Sequence, residues 1–134
     1  MSKLTLIEGI GPKYEETLKS IGVTSTAKLL ESGKTPSGRK KLAEESGISH
    51  KLILTWVNHA DLMRINGIGG EYAELLEASG VDTVPELAHR NPGNLATKMQ
   101  EVNDEKSLVR RIPTEEMISD WIEESKTLPR VLEY

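Results

Sequence analysis

The stretch "IEGIGPKYEETLKSIGV", residues 7–23, decides how this chain is read, because a second version of it, "INGIGGEYAELLEASGV", begins at residue 65. Sliding the sequence against itself by 58 places Gly9, Ile10 and Gly11 on Gly67, Ile68 and Gly69. The same offset matches Tyr14 with Tyr72, Leu18 with Leu76, Gly22 with Gly80, Val23 with Val81 and Leu29 with Leu87. So many identities at one offset, glycines and a tyrosine among them, indicate an internal duplication. The correspondence resumes at offset 65, where "LILTWVNHADL" (52–62) aligns with "MISDWIEESKT" (117–127). There Ile53, Trp56, Val57 and Ala60 meet Ile118, Trp121, Ile122 and Ser125, spacings of three and four that describe one buried face of a helix. The change of offset implies a net insertion of seven residues in the second copy, assigned to a surface loop or short extra turn within "VNDEKSLVRRIP", residues 102–113.

Helix punctuation is dense and strand signals are nearly absent. Pro12 follows Gly11 as a first-turn residue, and Gly22 and Gly80 stand where left-handed C-terminal caps belong. Thr35-Pro36 and Asn91-Pro92 pair an N-cap with proline at the first helical position. The expectation is an all-α fold of about five short helices per copy, with breaks near 8–11, 21–25, 32–35, 47–49, 65–69, 80–83, 90–92 and 103–114. Residues 1–64 form the first copy and 65–134 the second. A helix from about Ser49 to Arg64 closes the first and leads into the second, which argues for one pseudo-symmetric domain over 1–134.

The 134-residue chain has enough length to bury roughly two-thirds of its unfolded surface. It contains no 18-residue apolar run, and "MSKLTLIEGIG" lacks the apolar core of a secretory signal, so a soluble cytoplasmic protein is expected. With no cysteine, disulfides, thiolate metal sites and cysteine nucleophiles are excluded. His50, His59 and His89 lack the i,i+4 pairing of helical metal sites, and no metal or other cofactor is expected. "SGKT" at 32–35 has Lys28 where a phosphate-binding P-loop needs its first glycine. Adjacent carboxylates such as Glu15 and Glu16 diverge by about 100° on a helix and cannot act as an acid–base pair. Nothing assembles a catalytic triad by spacing, and no enzymatic activity is expected.

The net charge of -4 conceals a division: residues 1–60 hold nine Lys and Arg against six Glu, a balance of +3, and residues 61–134 carry -7. One half suits a polyanion and the other does not, although each also reads as an ordinary solvated surface. The glycine turn itself suits an anion. Its second glycine stands just before a helix N-terminus, where unpaired N–H groups and the helix dipole favour negative charge. Glycine is expected at both places because the backbone takes conformations closed to residues with a Cβ, and because a ligand or helix approaches closely.

"LIEGIGPKYEETL" and "RINGIGGEYAELL" resemble helix-hairpin-helix motifs, in which an apolar residue, any residue, Gly, apolar and Gly precede a second helix. The layout of nearly the whole chain, including "GVDTVPELAHRNPGNL" and "LPRVLEY", resembles a bacterial family, domain of unknown function 4332. The hairpin resemblance implies non-sequence-specific gripping of the DNA sugar-phosphate backbone by glycine amides, with a monovalent cation held by hairpin carbonyls in some members. Carried onto this chain, it implies contacts at Gly9, Gly11 and Lys13 in the first copy and at Gly67, Gly69 and Gly70 in the second. Glu15 departs from the pattern's small residue, and Glu71 stands where the first copy has Lys13.

A basic cluster, Lys34, Arg39, Lys40 and Lys41 in "GKTPSGRKK", straddles an expected helix start and reads as either a phosphate contact or a solvated loop. The expected function is thus a noncatalytic binding domain for duplex DNA, acting through the first hairpin and this cluster. The alternative is a protein-interaction or scaffold module, with structural hairpins and an acidic second half that docks a partner.

Overall fold

The computed structural model describes residues 3–134, which are all-helical. After a 3-10 turn at Leu4–Leu6 come α1 (Pro12–Ser20), α2 (Thr26–Ser32), α3 (Pro36–Ser46) and α4 (His50–Leu62). The remaining helices are α5 (Gly70–Ala78), α6 (Val84–Ala88), α7 (Pro92–Lys106) and α8 (Glu115–Ser125). The expected breaks at 21–25, 47–49, 65–69 and 80–83 fall between helices, and 8–11 precedes α1. Those at 32–35 and 90–92 overlap a helix by one residue, and that at 103–114 begins inside α7, which runs on to Lys106. No helix among the described residues is long and apolar enough to cross a membrane.

The helix boundaries follow from local chemistry. Ser25, Thr35, Asn91 and Thr114 each cap a helix, their side-chain oxygens accepting from the backbone N–H three residues on. Pro36 and Pro92 then occupy the first turn, where a missing N–H costs nothing. α3 stops at Gly47, whose φ of 74° lies in the left-handed region, and Ser107 ends α7 at φ 52°.

The chain divides into two units. The first runs to Asp61 and also takes in Val131–Tyr134; the second is Leu62–Arg130. The division falls in the last turn of α4, a helix that ends at Leu62, two residues short of the expected Arg64. In the first unit, Leu18 of α1, Leu29 of α2, Leu42 of α3 and Ile53, Trp56 and Val57 of α4 are buried together with Leu4, Ile7, Ile10 and Leu132. In the second, Leu75, Leu76, Leu95, Met99, Ile118, Trp121 and Ile122 belong to a single apolar cluster. The eight residues aligned at offset 65 are all buried, and the one polar member, Ser125, donates its hydroxyl to Ile122 O at 2.6 Å.

The inserted residues are only partly a loop. α7 has 15 residues where α3 has 11, so the helix absorbs much of the extra length. The rest, residues 107–114, is pinned by Asn103, whose Nδ2 donates to Val109 O at 3.1 Å and whose Oδ1 accepts from Val109 N at 2.9 Å. Changing Asn103 to Ala leaves both part-buried backbone groups unpaired and is expected to cost about 1–3 kcal/mol. Urea unfolding, with amide exchange faster at 107–112 than elsewhere, checks this; unchanged exchange there would show that Asn103 does not hold the loop.

Candidate functional site: the glycine turns and their basic neighbours

The two glycine turns share their local geometry. Gly9 and Gly67 take φ of 94° and 91°, which L side chains rarely adopt. Ile10 N donates to Ile7 O at 3.1 Å and Ile68 N to Ile65 O at 3.2 Å, which closes each turn. A tryptophan backs each one: a Cβ on Gly9 would lie 3.3 Å from Trp56 Nε1, and on Gly67 3.2 Å from Trp121 Nε1. The tyrosine of the following helix completes the support, with Tyr14 5.1 Å from Trp56 and Tyr72 5.3 Å from Trp121 between ring centroids. The tryptophans and tyrosines are thus packing residues of the turns.

The second glycine of each turn differs from expectation. Gly11 and Gly69 are extended, with φ of -89° and -96°, a backbone open to any residue, and a Cβ on either would meet nothing within 4 Å. The conformational demand therefore falls on Gly9 and Gly67 alone, while the space beside Gly11 and Gly69 is left open. Neither α1 nor α5 receives a side-chain cap, in contrast to α2, α3, α7 and α8. Gly11 and Gly69, which precede these two helices, are exposed, and a helix start without a side-chain cap is a place that suits an anion, although Pro12 supplies no N–H and Glu15 N already donates to Gly11 O at 2.9 Å. Gly70, the first residue of α5, is buried, in contrast to the exposed Gly69 before it.

Around the first turn the basic residues separate into distinct fates. Lys13, in the first turn of α1, is exposed and lines a groove of about 520 Å³ with Tyr14, Thr17, Gly47 and Leu52. Lys34 pairs with Glu31 at 3.2 Å, which reduces what it offers to a phosphate. Arg39, expected at the surface with the lysines, is instead covered. It is 3% exposed, donating from Nη1 to Gly33 O at 2.9 Å and from Nη2 to Glu133 O at 2.8 Å. The expected N-cap is present at this helix start, where Thr35 Oγ1 accepts from Gly38 N at 3.0 Å and so takes up one of the N–H groups a phosphate would need. Of the cluster, Lys40 and Lys41 remain as exposed ammonium groups on α3.

Lys41 lines a second groove, of about 420 Å³, with Gly22, Val23 and Lys28. It therefore adjoins the C-terminal end of α1, and Lys13 adjoins the N-terminal end. A nine-residue helix, about 13 Å long, separates them, so the structure spreads the basic groups along α1 instead of gathering them at one point.

The second turn carries two arginines that sequence reading passed over. Arg110 and Arg111, both exposed in the loop pinned by Asn103, border a depression with Gly70, Glu71, Tyr72 and Val109. Tyr72 Oη donates to Arg111 O at 3.1 Å and holds that loop against the start of α5. The signal in the sequence was the Arg-Arg pair inside the insertion, present only in the copy whose hairpin lost its lysine. Its place in space is set by a loop closure that spacing alone does not reveal.

A family profile, domain of unknown function 4332 (DUF4332), matches residues 8–128, from the first glycine turn to the end of α8. The chain belongs to this family. No curated protein and no solved structure matches it. The DUF4332 match takes in both glycine turns, the α3 lysines and the Arg110–Arg111 loop.

Proposed function

We propose that the chain is a tandem helix-hairpin-helix protein, noncatalytic, that binds the backbone of duplex DNA through its first unit. One observation carries this reading: α1 begins uncapped behind an open glycine, with the exposed Lys13 in its first turn. Backbone amides at such a place take a phosphate oxygen and the ammonium adds its charge, a contact blind to base sequence. Lys40 and Lys41, a helix length away, extend the positive surface toward further phosphates. The shared geometry of the two turns and the identities at offset 58 support the duplication.

With Lys13, Lys40 and Lys41 each neutralising one phosphate, the slope of log affinity against log salt is about -2.7. Duplex affinity is then expected to fall about 40-fold from 50 to 200 mM salt. Changing all three to Glu abolishes binding, while changing Arg39 to Gln in the otherwise intact chain leaves it largely as it was. Gel-shift titration on a short duplex reads both; no binding even at low salt sinks the proposal. The balance of -7 over residues 61–134 favours the alternative of docking a basic protein, which predicts no such salt-dependent duplex binding and a stable protein complex instead.

A further inference from the structure

Residues 131–134 return to the first unit and lie over the one arginine of its basic cluster. Leu132 is buried, Glu133 N donates to Lys34 O at 2.8 Å, and Tyr134 Oη donates to Asn58 Oδ1 at 2.7 Å. Arg39 is the anchor. Its Nη2 donates to Glu133 O, and its guanidinium carbon lies 5.6 Å from the centre of the Tyr134 ring. The segment is short, with Leu132 buried and Tyr134 61% exposed.

The anchor is incompletely satisfied. Arg39 Nε is buried and has no hydrogen-bond partner among the described residues, because the two carbonyls take only Nη1 and Nη2. A buried N–H without an acceptor is unfavourable. A phosphate, with several acceptor oxygens, can engage Nε and Nη2 side by side, which Glu133 O does not do here.

We propose that residues 131–134 are a releasable latch that masks Arg39, and that a backbone phosphate competes with Glu133 O for its guanidinium. Release adds a third cation beside Lys40 and Lys41 and turns a weak surface into a stronger one. The inference rests on the nucleic-acid reading above, with free polyphosphate as a separate probe of the same chemistry.

The test uses the full chain carrying Leu132→Gln with Tyr134→Ala, and Tyr134→Ala alone in case the double variant does not fold. Amide exchange at Glu133 is expected to rise while α4 stays protected. Duplex affinity at about 0.1 M salt is expected to rise about five- to tenfold, with the salt slope steeper by about 0.9. Adding Arg39→Gln cancels that gain while leaving Glu133 exchange fast. Glu133 exchange rising with no gain in affinity, or a gain that survives Arg39→Gln, overturns the latch and leaves duplex binding standing. If no form binds duplex, the latch is decided on tripolyphosphate. A shift of the Arg39 Nε–H resonance in the released variant alone supports it, and no shift in either form overturns it.

Discussion

Replacing Trp56 with Ala is expected to remove about 3–5 kcal/mol of stability, a large part of the roughly 5–15 kcal/mol that holds a native protein folded. The ring is 1% exposed and serves two purposes. It fills the space between α4 and the first glycine turn, and it is the surface against which Gly9 rests, with Tyr14 at its edge. Truncation leaves a cavity and also removes the packing surface behind the first glycine turn. Thermal and urea unfolding followed by circular dichroism read the loss. Trp121→Ala is expected to do the same to the second unit, where Trp121 stands behind Gly67. A loss below about 1 kcal/mol at either position would mean that the turns are not held from behind.

Changing Gly38 to Ala is expected to cost about 2–4 kcal/mol, although Ala is the better helix former by about 1 kcal/mol. The added Cβ would sit 2.3 Å from Ser32 O and 3.1 Å from Thr35 Oγ1. The first of these is a backbone carbonyl and cannot rotate aside. Relief requires α3 to move away from the end of α2, which breaks the Thr35 cap and shifts Arg39, the next residue along. Urea midpoints measure the cost, and Gly47→Ala is the informative comparison. Gly47 has open space for a Cβ but a φ of 74°, so its smaller loss would reflect backbone conformation alone. Equal losses at the two positions would argue that the close approach at Gly38 is not the cause.

Most of the helical layout was legible because it is written in short-range chemistry. Caps at Ser25, Thr35, Asn91 and Thr114, prolines in first turns and glycines at helix ends act within three or four residues. The buried face of α4 followed from its period for the same reason. The candidate site was less legible, because the surroundings of Arg39 and of Arg110 and Arg111 depend on residues distant in sequence. Arg39 reads as a surface residue among Lys40 and Lys41 until Glu133 arrives from 94 positions away. Arg110 and Arg111 read as a loop until Tyr72 and Asn103 fix that loop beside α5. Nothing in "GKTPSGRKK" marks Gly38, whose missing Cβ lets the start of α3 approach the end of α2.

The return of residues 131–134 to the first unit has a consequence for the order in which the protein is made. Residues through Asp61 leave the ribosome about 4–14 s before the segment that seats against Arg39, at ordinary rates of synthesis. During that interval the nascent first unit has its helices but not its closing strand of chain, and the guanidinium has only Gly33 O to satisfy it. Completion of this unit therefore waits until all of the second has been synthesised, and Arg39 is among the last groups of the first unit to find its partners.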